Sequence, residues 1–497
     1  MGTLTFLYDV KDKTEHFNHY WETCVGSCHG YTALREDYRE QLKEAHDQLG
    51  FKYLRFHGIL DDDMCVVQEE NGKILYNFVN IDNIFDFLLD IGMKPFMEIG
   101  FMPKAFASGT TTLFHYNANN TMPKDFDEWD RFITTMMNHF IDRYGIDEVR
   151  TWFFEVWNEP NLKFFFNGTQ KDYFKLYEHT ARAIKKADTT LCVGGPATAL
   201  NAWIPDLIQF CQKNNVPLDF VSTHHYPTDD PLWKSGMNLE EFFAKVEEKS
   251  KEGDKDAYKN AQTYHRGILT EMIQKAREEA QNYPLYYTEW NTSAINGDSV
   301  HDVPYSAAFV AKTILDNIGY VKGYSFWTFT DIFEEAPQKI GEFHGGFGLQ
   351  TIHGVKKPTF RAFEMLHSLG NDMYPRAKEQ DTVGTFLAKG SDGGYCLIAY
   401  NQQVPDVPAD MEKQVCVKIN NLKIHEANLY RIDETHTNPR KAWEEMGAPV
   451  YPDRYSLKVL KEASIMNQEA VHYEVKDEGV EITFTLPKDS VVMIRIA

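Results

Sequence analysis

Two short segments of this chain end an apolar, β-prone run with a carboxylate: Trp157-Asn158-Glu159-Pro160 and Tyr287-Thr288-Glu289-Trp290-Asn291. Two carboxyls at the ends of two strands of one barrel are the equipment of a retaining glycoside hydrolase. That chemistry needs one protonated carboxyl and one ionised carboxylate. Glu159 is assigned as general acid/base and Glu289 as nucleophile. Glu289 would bond to the anomeric carbon while Glu159 protonates the departing oxygen; Glu159 would then deprotonate the incoming water. Once Glu289 is an ester its charge is gone, and the pKa of Glu159 should fall to suit the second role. Glu155 shares a strand face with Glu159 by period-2 alternation, but four residues deeper. It is therefore set aside as lying below the mouth. A single strand-end Glu is usually solvated or salt-bridged; the pairing of the two segments is what points to catalysis.

Other strand ends offer partners. His57 ends the second candidate strand, His224 and Tyr226 the sixth, and Trp327 lies on the eighth. Asn158 can hydrogen-bond a sugar 2-OH, a contact that strengthens in the transition state. Tyr226 can donate to the nucleophile and hold its rotamer. Trp327 offers a floor for the ring. Glu334 and Glu335 follow on the eighth loop, either as a solvated acidic turn or as ligands for substrate.

To place these groups together the chain must supply a barrel. Short β-prone runs recur at Cys24–His29, Lys52–Gly58, Lys94–Gly100, Trp152–Pro160, Leu191–Ala197, Phe220–Tyr226, Leu285–Asn291 and Gly323–Phe329. Helical patterns separate them. Tyr38, Leu42, Ala45 and Leu49 fall on one face and Gly50 is a natural stop. Asp172 is placed to cap the helix carrying Tyr173, Leu176, Tyr177 and Thr180. Parallel strands need helical crossovers, so this series predicts a (β/α)8 barrel. Residues 228–262 are polar and charge-rich and are read as an insertion beside the active face, helical in part. From about Met373 alternating runs such as Val415, Val417, Ile419 and Val480, Ile482, Phe484 predict an antiparallel β-sandwich. The expected division is a catalytic barrel over 16–370, with 1–15 plus 371–497 forming the accessory domain.

Composition excludes more than it selects. The chain of 497 residues is 43% hydrophobic and 25% charged, which suits globular folding. A formal net charge of −22 repels nucleic acid and anionic lipid. No stretch approaches the about 18 apolar residues of a spanning helix, and the N-terminus lacks a basic n-region with an apolar core. The seven scattered cysteines read as free thiols of a reducing cytoplasm. His224 and His225 point to opposite strand faces, so a shared metal is not expected.

At these residues the sequence resembles the β-xylosidases of glycoside hydrolase family 39. The matching stretches are Phe51–Gly58, Glu98–Lys104, Trp157–Lys163, Val193–Pro196, Phe326–Phe329 with Phe333–Glu335, and Phe343–Leu349. The resemblance implies Glu159 as acid/base and Glu289 as nucleophile, in agreement with the reading above. It also implies that Arg55, His57, Asn158, His224, Tyr226 and Trp327 line the site. Phe114 and Phe165 would be aromatic walls, and Glu334 and Glu335 acceptors for the outer hydroxyls of a terminal xylose. It further implies a homotetramer and no metal or organic cofactor. The sequence departs from the family pattern at Thr223, where arginine is expected, at His225, in place of a small residue, and at Trp290, where tyrosine is common. These three are expected near the reacting ring or the leaving group.

The predicted activity is a retaining exo-β-1,4-xylosidase that releases terminal xylose from β-1,4-xylooligosaccharides or aryl and alkyl β-xylosides. A related β-glycosidase or an α-L-iduronidase-like enzyme is the alternative within the class. A non-catalytic sugar-binding barrel is the alternative outside it, and the retention of both carboxylates argues against it.

Overall fold

The computed structural model describes residues 2–235, 239–253, 264–337, 339–404 and 412–497. All eight expected barrel strands form, in order: β1 (Cys24–His29), β2 (Tyr53–His57), β3 (Lys94–Ile99), β4 (Phe153–Val156), β5 (Cys192–Thr198), β6 (Phe220–His224), β7 (Leu285–Trp290) and β8 (Gly323–Phe326). They close into one barrel, with Phe326 of β8 beside Val25 of β1. Pairing is parallel throughout.

Period-2 alternation builds the barrel interior in layers. Phe96 pairs in register with Phe153, and two residues further on Glu98 pairs with Glu155. Phe96 and Phe220 pack with Tyr53, Phe153 and Tyr286 into an aromatic plug. Two residues above that plug stand Arg55, Glu98, Glu155 and Thr288, all buried. The apolar layer thus excludes water beneath a charged layer, which must satisfy itself internally.

β4 is shorter than expected. It ends at Val156, because Trp157 (φ 70°) and Glu159 (φ 43°) take left-handed backbone. The turn is fastened by Trp157 N–H on the Ile99 carbonyl (3.2 Å) and Glu159 N–H on the Ala197 carbonyl (2.8 Å). A turn, not the pleat of a strand, therefore aims Glu159.

The outer helix Glu36–Leu49 buries Tyr38, Leu42, Ala45 and Leu49 and stops at Gly50, φ 75°. The helix Gln170–Ala187 corrects one expectation. Its N-cap is Thr169, whose hydroxyl accepts from Asp172 N–H, while the Asp172 carboxylate accepts from Thr169 N–H. Asp172 is the reciprocal half of a capping box, three residues inside the helix. The insertion is helical at Asp230–Ser235 and Leu239–Lys251; its residues 236–238 and 254–262 lie outside the described residues.

Two sheets follow the barrel. The seven-stranded sheet contains Val383–Gly390, Tyr395–Asn401, Ser490–Ile496 and Ala427–Ile432 at its centre. The four-stranded sheet runs Leu4–Asp9, Glu412–Asn420, Gly479–Pro487, His472–Lys476. Antiparallel pairing dominates, but Leu4–Asp9 pairs parallel to Glu412–Asn420, since it arrives from the far end of the chain. Two helices, Pro439–Glu445 and Arg454–Ala463, interrupt the expected run of strands. The seven-stranded sheet is buried on both faces. Phe386, Ile398, Tyr400 and Met493 pack into the barrel's core, whereas Leu387, Leu397, Ala399 and Ile494 pack against the four-stranded sheet.

Candidate active site

The charged layer is organised around Arg55, which is wholly buried on β2. Its Nε donates to Glu155 Oε2 (2.5 Å), Nη1 to Glu289 Oε1 (2.8 Å) and Nη2 to Asn158 Oδ1 (2.9 Å). Nη2 also lies 3.1 Å from Glu98 Oε2. One planar cation thus ties together strand ends from β2, β3, β4 and β7. His57 Nδ1 meets the same Glu98 oxygen at 2.7 Å, and its Nε2 faces Glu335 Oε1 at 3.3 Å and Glu289 Oε1 at 3.8 Å. Burial opposes charge on His57, but Glu98, Glu335 and Glu289 outweigh it and raise its pKa to about 10. The site therefore holds two cations, Arg55 and His57, beside Glu289.

The two strand-end carboxyls differ in their surroundings. Glu289 accepts on both oxygens, from Arg55 and from the Tyr226 hydroxyl (3.0 Å). Burial pushes the pKa of Glu289 up to about 7, with Arg55 and His57 working to lower it. Among the described residues Glu159 touches no cation; its Oε1 meets His224 Nδ1 at 2.9 Å. Burial, then the neighbouring Glu289 and Asp229, drive Glu159 well above the usual carboxyl range. His224 is pushed well below the usual imidazole range by burial, with Arg55, His57 and His225 adding to it, so it is neutral. Both carboxyls are thus raised, and of the two it is Glu289 that hydrogen-bonds a cation, Arg55, which favours its ionised form. An oxygen of Glu159, a ring nitrogen of His224 and an oxygen of Glu289 lie within 4.8 Å of one another.

Above the carboxyls opens a cavity of about 340 Å³, lined by His57, Phe114, Glu159, Phe165, Tyr226, Asp229, Glu289, Trp327, Glu335 and a further apolar set. Its walls are aromatic: Phe114 stacks over His57 (6.2 Å, 18°), Trp327 lies 4.8 Å from His57, and Phe165 meets Phe114 edge-on at 5.6 Å. The volume is that of a small-molecule site, and the flat aromatic walls suit the face of a sugar ring.

The sequence profile of the glycosyl hydrolases family 39 matches residues 6–478. The chain belongs to that family. It is a glycoside hydrolase. The β-xylosidase of Caldicellulosiruptor saccharolyticus is 49% identical over 487 residues, covering 96% of this chain and 95% of its own. That of Geobacillus stearothermophilus is 36% identical, covering 97% and 93%. A solved structure described as a monomeric β-xylosidase from Caulobacter crescentus CB15 superposes with a TM-score of 0.84 at 32% identity, over 99% of both chains.

In this family-39 enzyme the expected residues divide by depth. His57, Phe114, Glu159, Phe165, Tyr226, Glu289, Trp327 and Glu335 line the cavity. Arg55, Asn158 and His224 lie beneath it, wholly buried, and act on its floor. Asn158 has its oxygen on Arg55, while its buried Nδ2 donor has no partner among the described residues. Glu334 does not line the cavity. It turns to Arg35 (3.5 Å) and His29 (3.7 Å), and its backbone N–H donates to Cys28 Sγ.

The three departures stand elsewhere than expected. Thr223 donates to the Thr198 carbonyl (2.9 Å), His225 bonds Tyr324 OH (2.8 Å), and Trp290 stacks on Tyr324 (4.1 Å). None lines the cavity. Thr223 and His225 alternate with the inward-facing His224 and so point to the barrel wall. The divergence of His224 and His225 follows the same alternation.

Sequence reasoning missed Glu98, Asp229 and the true part of Glu155. Glu155 is indeed below the mouth, yet it anchors Arg55 and accepts from Thr288 Oγ1 (2.8 Å). The signal for Glu98 and Glu155 was their position two residues above the aromatic plug. The apolar rim of Leu162, Phe164, Leu200, Leu232, Phe242 and Ile295 carried no signal. The eighth loop is fastened by Lys357, buried between Asp302 and Asp331 at 2.7 Å each. Its nitrogen also donates to the Gly346 carbonyl (2.8 Å). A Cβ at Gly346 would stand 2.3 Å from Asp331 Oδ1, so only glycine lets the loop seat there.

Proposed function

We propose that this enzyme is a retaining, exo-acting β-xylosidase in which Glu289 is the nucleophile and Glu159 the acid/base. The observation that carries the reading is the carboxyl separation, within 4.8 Å between nearest oxygens. Retaining glycosidases hold the two groups about 5–5.5 Å apart, whereas inverting ones leave room for a water at about 6.5–9.5 Å. In the first step Glu289 Oε forms a bond to C1 as the C1–O bond to the leaving group breaks. The proton of Glu159 goes to that oxygen. In the second step water attacks C1, gives its proton to Glu159, and releases Glu289. Asn158 Nδ2, a donor without a partner among the described residues, is left for the sugar 2-OH. His57 and Glu335 would hold outer hydroxyls, and Trp327 the ring face.

Xylose as the sugar is supported by the names of the relatives at 49% and 36% identity. Xylooligosaccharides and aryl or alkyl β-xylosides are the proposed substrates. The division into a barrel over 16–370 and an accessory unit of 1–15 plus 371–497 belongs to the same reading. So does a homotetramer, to be tested by light scattering for four times 57.6 kDa. A cytoplasmic setting is proposed on the seven unpaired cysteines, five of them buried. Among the described residues no helix is long and apolar enough to cross a membrane.

The deciding experiment is proton NMR during hydrolysis of 4-nitrophenyl β-D-xyloside. β-Xylose appearing first is expected. α-Xylose first would overturn the double displacement, and faster turnover of a β-glucoside or an α-L-iduronide would overturn the substrate.

A further inference from the structure

We infer that Thr288, the residue before the nucleophile, is a positioning residue that holds the proton on Glu159 through the ring of His224. The inference rests on the reading of Glu159 as the general acid. It stands on a chain of four hydrogen bonds, all buried. Arg55 Nε donates to Glu155 Oε2 (2.5 Å), Thr288 Oγ1 donates to Glu155 Oε1 (2.8 Å), His224 Nε2 meets Thr288 Oγ1 (3.0 Å), and His224 Nδ1 meets Glu159 Oε1 (2.9 Å).

Donor counting fixes each proton. Glu155, paired with Arg55, only accepts. Thr288 has one hydroxyl proton and spends it on Glu155. Its oxygen must then accept from His224, so the proton of His224 sits on Nε2. A neutral imidazole carries one N–H, so Nδ1 faces Glu159 with a lone pair. A short contact to a lone pair requires a donor, and Glu159 supplies one only as the carboxylic acid. An ionised Glu159 would set two acceptors against each other across a buried 2.9 Å contact.

The same chain serves both steps of the proposed reaction. While Glu289 is free, it keeps the acid loaded. After Glu159 has given its proton to the leaving oxygen, the lone pair on Nδ1 opposes the new carboxylate. That opposition makes Glu159 a stronger base toward the water of the second step. The other groups facing Glu159 are Glu289 on β7, Asp229 and Tyr226 after β6, and Arg55 and His57 on β2. None of them contacts the Thr288 hydroxyl, so a substitution there addresses the chain alone.

The test compares Thr288→Val with Thr288→Ser. Valine leaves Nε2–H without an acceptor, which favours the other tautomer. Nδ1–H would then donate to Glu159 and stabilise its ionised form. The alkaline limb of kcat/KM for an alkyl β-xyloside, a poor leaving group, should move down by about one pH unit or more. The 2,4-dinitrophenyl β-xyloside, which leaves without an acid, should lose much less. Thr288→Ser should match the wild type in both. A limb unmoved in Thr288→Val, or equal losses for both leaving groups in Val and Ser alike, would overturn the inference in favour of a packing role. A second measurement needs no variant: the 15N imidazole shifts of His224 in the wild type. Protonated Nε2 with bare Nδ1 is expected; Nδ1–H or an imidazolium overturns the chain. Glu159→Gln is assayed alongside. A loss confined to the poor leaving group with an unmoved limb in Thr288→Val removes only the part of Thr288. Equal loss for both leaving groups in Glu159→Gln removes the acid assignment, and the inference with it.

Discussion

At the scale of single residues the site works by asymmetry. Glu289 meets donors on both oxygens, and Glu159 meets one neutral imidazole. On the proposed roles Glu289 supplies the bond-forming oxygen, so Glu289→Ala should leave no measurable turnover of any β-xyloside. Glu159→Ala should cost about 10²–10⁴-fold on a poor leaving group and far less on 2,4-dinitrophenyl xyloside. Matched steady-state rates on the two substrates check both. The pH profile follows from the same surroundings. Burial raises the pKa of Glu289 to about 7, and as the proposed nucleophile it acts only as the anion. Activity must fall as pH drops through that value and protonates it. The acid limb of kcat/KM is thus expected near neutrality, not near the pKa of about 4.3 of a solvated Glu; the limb reports the Glu159–Glu289 pair jointly. Profiles between pH 4 and 9 decide it, with a limb near 4.5 as the contrary result. That these two carboxyls meet at one barrel mouth was legible in the sequence because Asn-Glu-Pro follows one β-prone run and Thr-Glu-Trp-Asn closes another. The supporting Glu98 and Glu155 were not, because a buried Glu inside a strand reads as an ordinary acidic residue until Arg55 is seen between them.

At the scale of elements the barrel is what makes those residues neighbours. Eight strand runs could be read directly, since each is a compact β-prone block followed by a helical pattern. Their ends could not. The left-handed turn at Trp157 and Glu159 depends on acceptors from two other strands, Ile99 and Ala197, which no local pattern announces. The Thr169 cap was misplaced by three residues because both halves of a capping box have capping side chains. The helices Pro439–Glu445 and Arg454–Ala463 were hidden among alternating runs. Closure between β8 and β1 has its own requirement. A Cβ at Gly26 would lie 2.7 Å from Trp327 Cε3 and 3.1 Å from the Phe326 carbonyl oxygen. Gly26→Ala must therefore push Trp327 off its place beside His57. The expected outcome is a rise in KM for β-xylosides together with a stability loss of about 1–3 kcal/mol. Steady-state kinetics and urea unfolding measure the two. An unchanged KM would mean that the ring accommodates the methyl without leaving the floor of the cavity.

At the scale of the whole molecule the accessory sheets are part of the barrel's support. The helix Pro304–Asp316 is buried at every position but its last, which an outer barrel helix facing water would not be. The seven-stranded sheet covers it: Val491 and Met493 join the barrel's core from one face, and Val492 and Ile494 join the other core from the opposite face. Ion pairs cross the same joint, from Arg376 to Asp316 (2.8 Å) and from Arg266 to Glu379. The alternation of those strands was readable, but their two-sided burial was not. Val, Ile and Met runs look the same whether one face or both are covered. The consequence concerns cooperativity. A chain ended at residue 370 would strip the cover from Pro304–Asp316 and expose its apolar outer face to water, at about 25 cal/mol per Å². Such a truncated barrel should be insoluble or lack near-UV structure, though it retains Glu159, Glu289 and all eight strands. The full chain should lose near-UV circular dichroism, far-UV circular dichroism and xylosidase activity at one coincident temperature. A separate early transition, with activity surviving the loss of the sheets, would show instead that the two-faced sheet rests on the barrel without holding it.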